Sequence, residues 1–354
     1  MWSVTPDGSI VDQDGKVIVF SQQRFIEDIC LGDCCFICGA KPDEKRFNDE
    51  HILPDWILRR YDLFARTIAL PNGTLVRYDR YKVPCCVECN TRMGREIEEP
   101  ISKAVHAGPE AFAEFIRHNG LHVIRWMGLI YLKTHLKDRK YRVHLDQRQG
   151  EDKIADQYEW EYLQHIHAMV RSFYTGCQVD KEAVGSFLGV SVAGQASAEK
   201  FDYADLYLAQ TMFLRLDEMG MVVVFNDAGA AMSRYWDRMK RINGAISELQ
   251  LREIMVDFAF LNLHLKDRPV FESQSNIRDE ICRLTVIRES LDLIELDLAR
   301  RGQLMEHAFK NILPHVHHLN VTDEELREGI RSGRFTFLFD DNGKFITESF
   351  VPLE

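Results

Sequence analysis

The residues with chemistry to offer are crowded into one stretch of this chain, residues 35 to 99. Cys35-Phe36-Ile37-Cys38 opens it, Glu50-His51-Ile52-Leu53-Pro54 lies in the middle, and Pro84-Cys85-Cys86-Val87-Glu88-Cys89-Asn90 follows. Two thiolates separated by two residues can grip one metal ion from a single tight turn. Two such pairs supply the tetrahedral four-sulfur set that zinc takes at closed, structural sites. The cysteines at 34 and 85 sit beside this set, so two registers are open. Cys35 and Cys86 are the better choice, because each then completes a CxxC turn with Cys38 and Cys89. The long excursion between the pairs carries the reactive groups. His51 titrates near neutrality and suits a general base. Glu50 is a hard oxygen donor that suits a magnesium-like ion. Asn90, one residue past a metal thiolate, would be held in place by the metal.

Taken together, CxxC, Glu-His-Ile-x-Pro and Pro-x-Cys-x-x-Cys-Asn resemble the HNH endonucleases, the zinc-stapled ββα (treble-clef, His-Me finger) nucleases. The resemblance covers about residues 30–104. It implies an acid-His pair on or after a first strand and a helix opened by the second CxxC-Asn. It implies that His51 activates the attacking water, that Glu50 and Asn90 hold a catalytic Mg2+ or other divalent ion, and that Cys35, Cys38, Cys86 and Cys89 hold structural zinc. The substrate implied is DNA, with RNA as the alternative nucleic acid, and the setting is bacterial defence or mobile elements. One position departs from the family pattern. Where the family carries a central Asn, five residues before the third cysteine, this chain has Tyr81. Asn72, in Leu70-Pro71-Asn72-Gly73, reads first as a turn residue. A zinc module that binds nucleic acid or a protein without cutting is the competing expectation. Such a module needs the four cysteines but has no use for Glu50-His51.

These residues need elements to position them. The spacing predicts a helix after Pro54, a turn at Pro71–Thr74 with strands on either side, and a long helix from Val87 to about Val105 in which Glu98 shares a face with Asn90. Before the first CxxC, Asp7-Gly8 and Asp14-Gly15 mark a small hairpin, and Ser21 can cap a short helix to Cys30. After residue 105 the pattern turns helical, at 109–118, 121–135 and 156–174. The second of these, Leu121 to Leu132, is apolar nearly all round and must be buried. Strands are expected at 187–192, 203–216 and 221–225, and helices at 230–242, 246–266, 285–300 and 303–312. Thr322 with Glu325 is a capping-box start. His135-Leu136-Lys137-Asp138-Arg139 recurs as His264-Leu265-Lys266-Asp267-Arg268, and reads as two similar helix ends. His315, His317 and His318 cluster after Pro314, where neighbours in a loop seldom converge on a metal.

The expected fold is α+β, with a small zinc-bound ββα module packed on a larger, mainly helical domain that contains a small antiparallel sheet. The divisions are 1–31, an N-terminal hairpin and helix; 32–105, the nuclease module; and 106–354, an α+β region for sensing, specificity or homodimerisation, where a regulatory ligand or partner protein would act. At 354 residues, 45% hydrophobic and 28% charged, the chain falls in the ordinary globular range. It has no apolar run of membrane-spanning length and no signal-peptide core in its first fifteen residues, so a cytoplasmic location is expected. Seven of the nine cysteines fall in the first ninety residues, a clustering that points to metal rather than disulfides. The net charge of −11 argues against a chain coated in nucleic acid. Between Arg59 and Lys82, however, six basic residues face only Asp62 and Asp79, a local excess that could meet phosphates.

Overall fold

The computed structural model describes residues 1–193, 200–288, 290–310, 312–313, 316–318, 321–347 and 350–352. The order begins with three short strands, β1 (Ser3–Val4), β2 (Ile10–Val11) and β3 (Val17–Val19), followed by α1 (Gln22–Arg24), which passes into a π-helical turn, Phe25–Cys30. Ser21 caps α1 by accepting from the Arg24 N–H at 3.1 Å. Next come β4 (Phe47–His51), α2 (Asp55–Arg60), β5 (Thr67–Ala69), β6 (Leu75–Arg77), β7 (Lys82–Cys86) and α3 (Val87–Met93). A π-helical turn, Gly94–Glu98, joins α3 to α4 (Glu99–His106), so Val87 to His106 is continuously helical. The helices α5 (Pro109–His118), α6 (Gly120–Asp138) and α7 (Gln164–Thr175) and the strand β8 (Gln178–Val179) follow.

The second half carries β9 (Ser186–Ser191), β10 (Phe201–Leu206), β11 (Thr211–Leu216), β12 (Met219–Val224), α8 (Ala230–Met239) and α9 (Glu248–Leu263). Then come β13 (Val270–Asn276), β14 (Ile281–Ile287), α10 (Leu298–Phe309), β15 (Val316–His318), α11 (Asp323–Arg331) and β16 (Phe350–Pro352). The fold is therefore mixed, with small sheets among helices, as the α+β expectation requires. The chain forms two compact units. The first is Met1–Ala183 with Phe271–Val286; the second is Val184–Val270 with Ile287–Glu354.

In the first unit β4 and β7 form an antiparallel ribbon in which Asn48 faces Cys85, Glu50 faces Val83 and His51 faces Lys82. The excursion between them is closed by the β5/β6 hairpin. Its turn is made by Asn72, whose Oδ1 accepts from Thr74 N at 2.8 Å and whose Nδ2 donates to the Arg142 carbonyl. Tyr81 is buried in the core. The helix α6 is buried on nearly all sides, as its composition demands. In the second unit the sheet order is β10-β11-β12-β9, all antiparallel. Every residue of β11 and β12 is buried. Helix α9 packs so closely on this sheet that a Cβ on Gly220 would meet Leu251 and Val192 at 2.9 Å.

Four expectations are corrected. The single strand over 203–216 is two strands that turn back on each other through Tyr207–Ala209. The reversal uses Gln210 at φ +41°, and no Gly, Pro or Asn marks it. Of the helix expected over 285–300, only Leu298–Arg300, the start of α10, are helical among the described residues. Thr285 belongs to β14 of the β13/β14 hairpin, whose alternating exposure is a strand's period of two. The helix expected from 156 begins only at Gln164, after two 3-10 turns. The terminal hairpin that the turn Asp341-Asn342-Gly343 predicts between Phe335–Phe339 and Lys344–Thr347 reduces to one bridge, Phe339 to Phe345. The capping box is present, with Thr322 and Glu325 bonded reciprocally at the start of α11. His315 of the histidine cluster lies outside the described residues, as do the side chains of His317 and His318. Among the described residues no helix is long and apolar enough to cross a membrane.

Candidate metal centre and candidate active site

The first CxxC makes a turn closed by Gly39. Its N–H donates to the Cys35 carbonyl at 2.8 Å, and Cys35 N donates to the Ala40 carbonyl at 2.8 Å. Gly39 has φ +77°, and a Cβ there would strike the Phe20 ring at 2.6 Å, so two independent constraints require glycine. The second CxxC sits where β7 becomes α3. Cys86 is the N-cap, and its sulfur accepts from the Cys89 N–H at 3.5 Å. The register left open by the sequence is thereby resolved. Cys35, Cys38, Cys86 and Cys89 bring their sulfurs within 4.8 Å of one another. A tetrahedron with zinc–sulfur bonds of ~2.3 Å has edges of about 3.8 Å, and the Cys38–Cys86 sulfur separation is 3.7 Å. The four cysteines therefore fit a metal such as zinc. Cys34 is not among them. Cys85 lies 3.7 Å from Cys35. Its sulfur is not among the four that converge.

Two residues of α7 support the first turn, and the sequence pattern did not single them out. His167 donates from Nε2 to the Phe36 carbonyl at 2.8 Å, and Arg171 donates from Nε to the Ile37 carbonyl at 2.6 Å. Arg171 also reaches the carbonyls of Val17 and Ile18. Both side chains are buried. A guanidinium behind a four-thiolate centre offsets part of its negative charge and orients the turn that carries it. The available signal was an Arg and a His on the apolar face of an amphipathic helix, since such groups are seldom fully buried without partners.

His51 closes β4. Its ring is half-buried, edge-on to Phe64 at 6.2 Å between centroids. Burial holds it below the usual imidazole range; Lys82 adds to this, while Glu50 and Asp55 oppose it. A neutral imidazole near pH 7 is the form a general base needs. Strand alternation puts Asn48 and Glu50 on one face of the ribbon. On that face Asn90, in the first turn of α3, donates from Nδ2 to Asn48 Oδ1 at 3.0 Å. Glu50 is buried, and its Oε1 is held at 2.7 Å by the Lys133 ammonium from α6. The same ammonium donates to the His51 carbonyl at 2.7 Å. Glu98, at the end of the π-helical turn, belongs to this neighbourhood. Burial pushes its carboxyl up to about 7 against the pull of Lys133, with the charges of Glu50 and Asp55 adding to the rise.

The tertiary structure thus sets Asn90 on the Asn48–Glu50 face of the ribbon and Glu98 near Glu50, leaves His51 on the other face by the same alternation, and adds Lys133, which sequence reasoning passed over. A lysine inside a helix apolar all round was the missed signal. The divalent site implied for Glu50 and Asn90 does not fit the residues as they stand. The Glu50 carboxylate is engaged by an ammonium and the Asn90 amide by Asn48. Among the described residues, the four cysteines are the one place where three or more His, Cys, Asp or Glu ligand atoms converge.

A cleft of 290 Å³ opens beside the ribbon, lined by Asp49, Lys82 and Pro84 and by Lys137, Arg139 and Lys140 from the end of α6. Arg139 is tied to the carbonyls of Cys30 and Gly32 and to Asp33, which Lys140 also meets at 3.3 Å. Of the basic residues in the excursion, Arg59 and Arg77 are paired with Asp55 and Asp79 at 2.6 Å. The local positive excess is therefore partly neutralised on the surface, and Lys82 carries it into the cleft. Set against family models, curated proteins and solved structures, the chain matches none of them.

Proposed function

We propose that this chain is an HNH-type endonuclease that hydrolyses phosphodiester bonds of DNA. The observation that carries the reading is a conjunction. A four-cysteine centre, a half-buried neutral His51 at the end of the first strand and Asn90 in the first turn of the following helix occur in one ββα arrangement. A merely structural metal module has no use for the last two. The cysteines would hold zinc, which fastens β7 and α3 to the first turn and so places Asn90. Water within reach of the imidazole gives its proton to His51 and attacks phosphorus in line; the P–O bond to the leaving oxygen breaks, and that oxygen takes a proton from solvent. Lys82, opposite His51 on β7, and the cleft lysine Lys137 offer positive charge to the phosphate oxygens. No step is assigned to a divalent ion, because Glu50 is already paired.

The second reading, a zinc module that binds nucleic acid without cutting, is favoured by that same Glu50–Lys133 pair. The two separate in a nicking assay on supercoiled plasmid with added Mg2+, Mn2+ or Ni2+, wild type beside His51→Ala, both confirmed to retain zinc. Cutting that disappears with His51 is the expected outcome. A zinc-loaded wild type that shifts DNA in a gel but never nicks it would sink the nuclease and leave the binding module.

A further inference from the structure

We infer that Lys133 is the resident cation of the Glu50–His51 site, and that its ammonium excludes a divalent ion from Glu50 until it is displaced. This rests on the nuclease reading for its meaning, and on the geometry of α6 and β4 for its substance. Lys133 is 1% exposed, in the middle of a helix whose other buried residues are mostly apolar. A lysine so placed must be paired, and its ammonium donates to the Glu-His pair: to the Glu50 carboxylate and the His51 carbonyl, each at 2.7 Å. An ammonium and a metal ion answer to the same chemistry here, positive charge against oxygen. They cannot easily share Glu50. A Mg2+ on Oε1 at ~2.1 Å could lie no further than about 4.8 Å from Nζ, where two cations repel strongly in a low-dielectric site.

Two further carboxyls lie near this pair, Asp55 being itself bonded to Arg59 at 2.6 Å. Glu98 and Asp55 are close enough to act on the same groups. Lys133 is a positioning residue. It fixes the Glu50 carboxylate and the backbone at His51, and it sets the condition for metal entry.

The test is Mn2+ binding by the zinc-loaded full-length chain, followed by electron paramagnetic resonance of the free ion. Wild type, Glu50→Gln, Lys133→Met and the double variant are compared, with zinc content and melting temperature as controls for folding. Lys133→Met should bind one Mn2+ at least tenfold more tightly than wild type, and adding Glu50→Gln should abolish the gain. A folded Lys133→Met that gains nothing overturns the inference. Should Lys133→Met fail to retain zinc, wild type against Glu50→Gln decides. Equal Mn2+ binding supports the resident ammonium, whereas Glu50-dependent binding in wild type overturns it. Plasmid nicking by the same proteins keeps the two ideas apart. A Glu50-dependent Mn2+ site that appears in Lys133→Met, without His51-dependent nicking in any variant, removes the nuclease and leaves the cation exchange standing.

Discussion

Helices α6 and α9 are the buried central helices of the two units, and both lead into the sequence His-Leu-Lys-Asp-Arg. The ends are built alike. His135 donates from Nδ1 to the Tyr131 carbonyl at 2.7 Å, and His264 donates from Nδ1 to the Phe260 carbonyl at 2.7 Å. Each imidazole is buried and leans on the aromatic ring four residues back. The difference lies in the charges that the helices bury. On α9, Glu253 and Asp257 are met by Arg301, which also donates to the carbonyls of Gly333 and Phe335. Arg238, the Tyr235 hydroxyl and the Phe337 N–H complete the set. On α6 a single ammonium faces Glu50, with Glu98 and Asp55 close by. A closed network, in which each buried charge has several partners, welds α8, α9, α10 and the chain at 333–337 together. On α6 one ammonium holds one carboxylate and one backbone carbonyl, a simpler pairing set against Glu50 and His51.

The largest effect expected is on the region that depends on metal. Structural zinc binding is folding free energy, ~10–16 kcal/mol in small modules. Chelation should therefore free the amides of β4 and β7 to exchange with solvent while those of α9 stay protected. Protection unchanged in both would break the contrast. Next, Arg301→Met should cost ~3–5 kcal/mol by urea unfolding, the usual result of stranding buried charges. Lys133→Met should cost clearly less, because Glu50 retains some access to water. Equal costs would make the two networks equivalent. His51→Ala should lower nicking by ~10²–10⁴-fold, the range of a lost general base, with little change in unfolding midpoint; parallel losses of both would make His51 structural.

A pH effect should follow from α9. Burial, with Asp257 beside it, pushes the Glu253 carboxyl from 4.5 up to about 7 against the pull of Arg301 and Arg238. The folded state then binds more protons than the unfolded state between those values, so stability should fall as pH rises through them. Glu253→Gln should flatten that slope. The smallest effect is on the surface. Arg59→Ala breaks an exposed pair with Asp55 and should change stability by less than ~1 kcal/mol.

Features set by neighbours a few residues apart could be read from the chain alone. A CxxC turn needs only its own three-residue spacing and Gly39. A cap at Ser21 or Thr322 needs only the next turn. The buried character of α6 follows from its composition, and the ribbon strand that ends at His51 sits close to where the motif put it. The break at 207–210 and the β13/β14 hairpin were missed because local pattern was ambiguous there. Gln210 gives no turn signal, and a polar strand such as Val270–Asn276 looks like any exposed segment.

What the tertiary structure alone decided concerns partners distant in sequence. Two cysteine pairs about fifty residues apart converge only when β7 returns beside β4, and that return brings Cys86 rather than Cys85 together with the other three. Arg171 and His167 reach the first turn across more than 130 residues, and Lys133 reaches Glu50 across 83. Hydrophobic period reports which face of an element is buried, not what it is buried against. The charge that meets Glu50 is therefore invisible until α6 is laid on the ribbon. For the same reason the chain by itself could name candidates for a base, a carboxylate ligand and a metal staple, while the partner of that carboxylate was decided by a lysine from another helix.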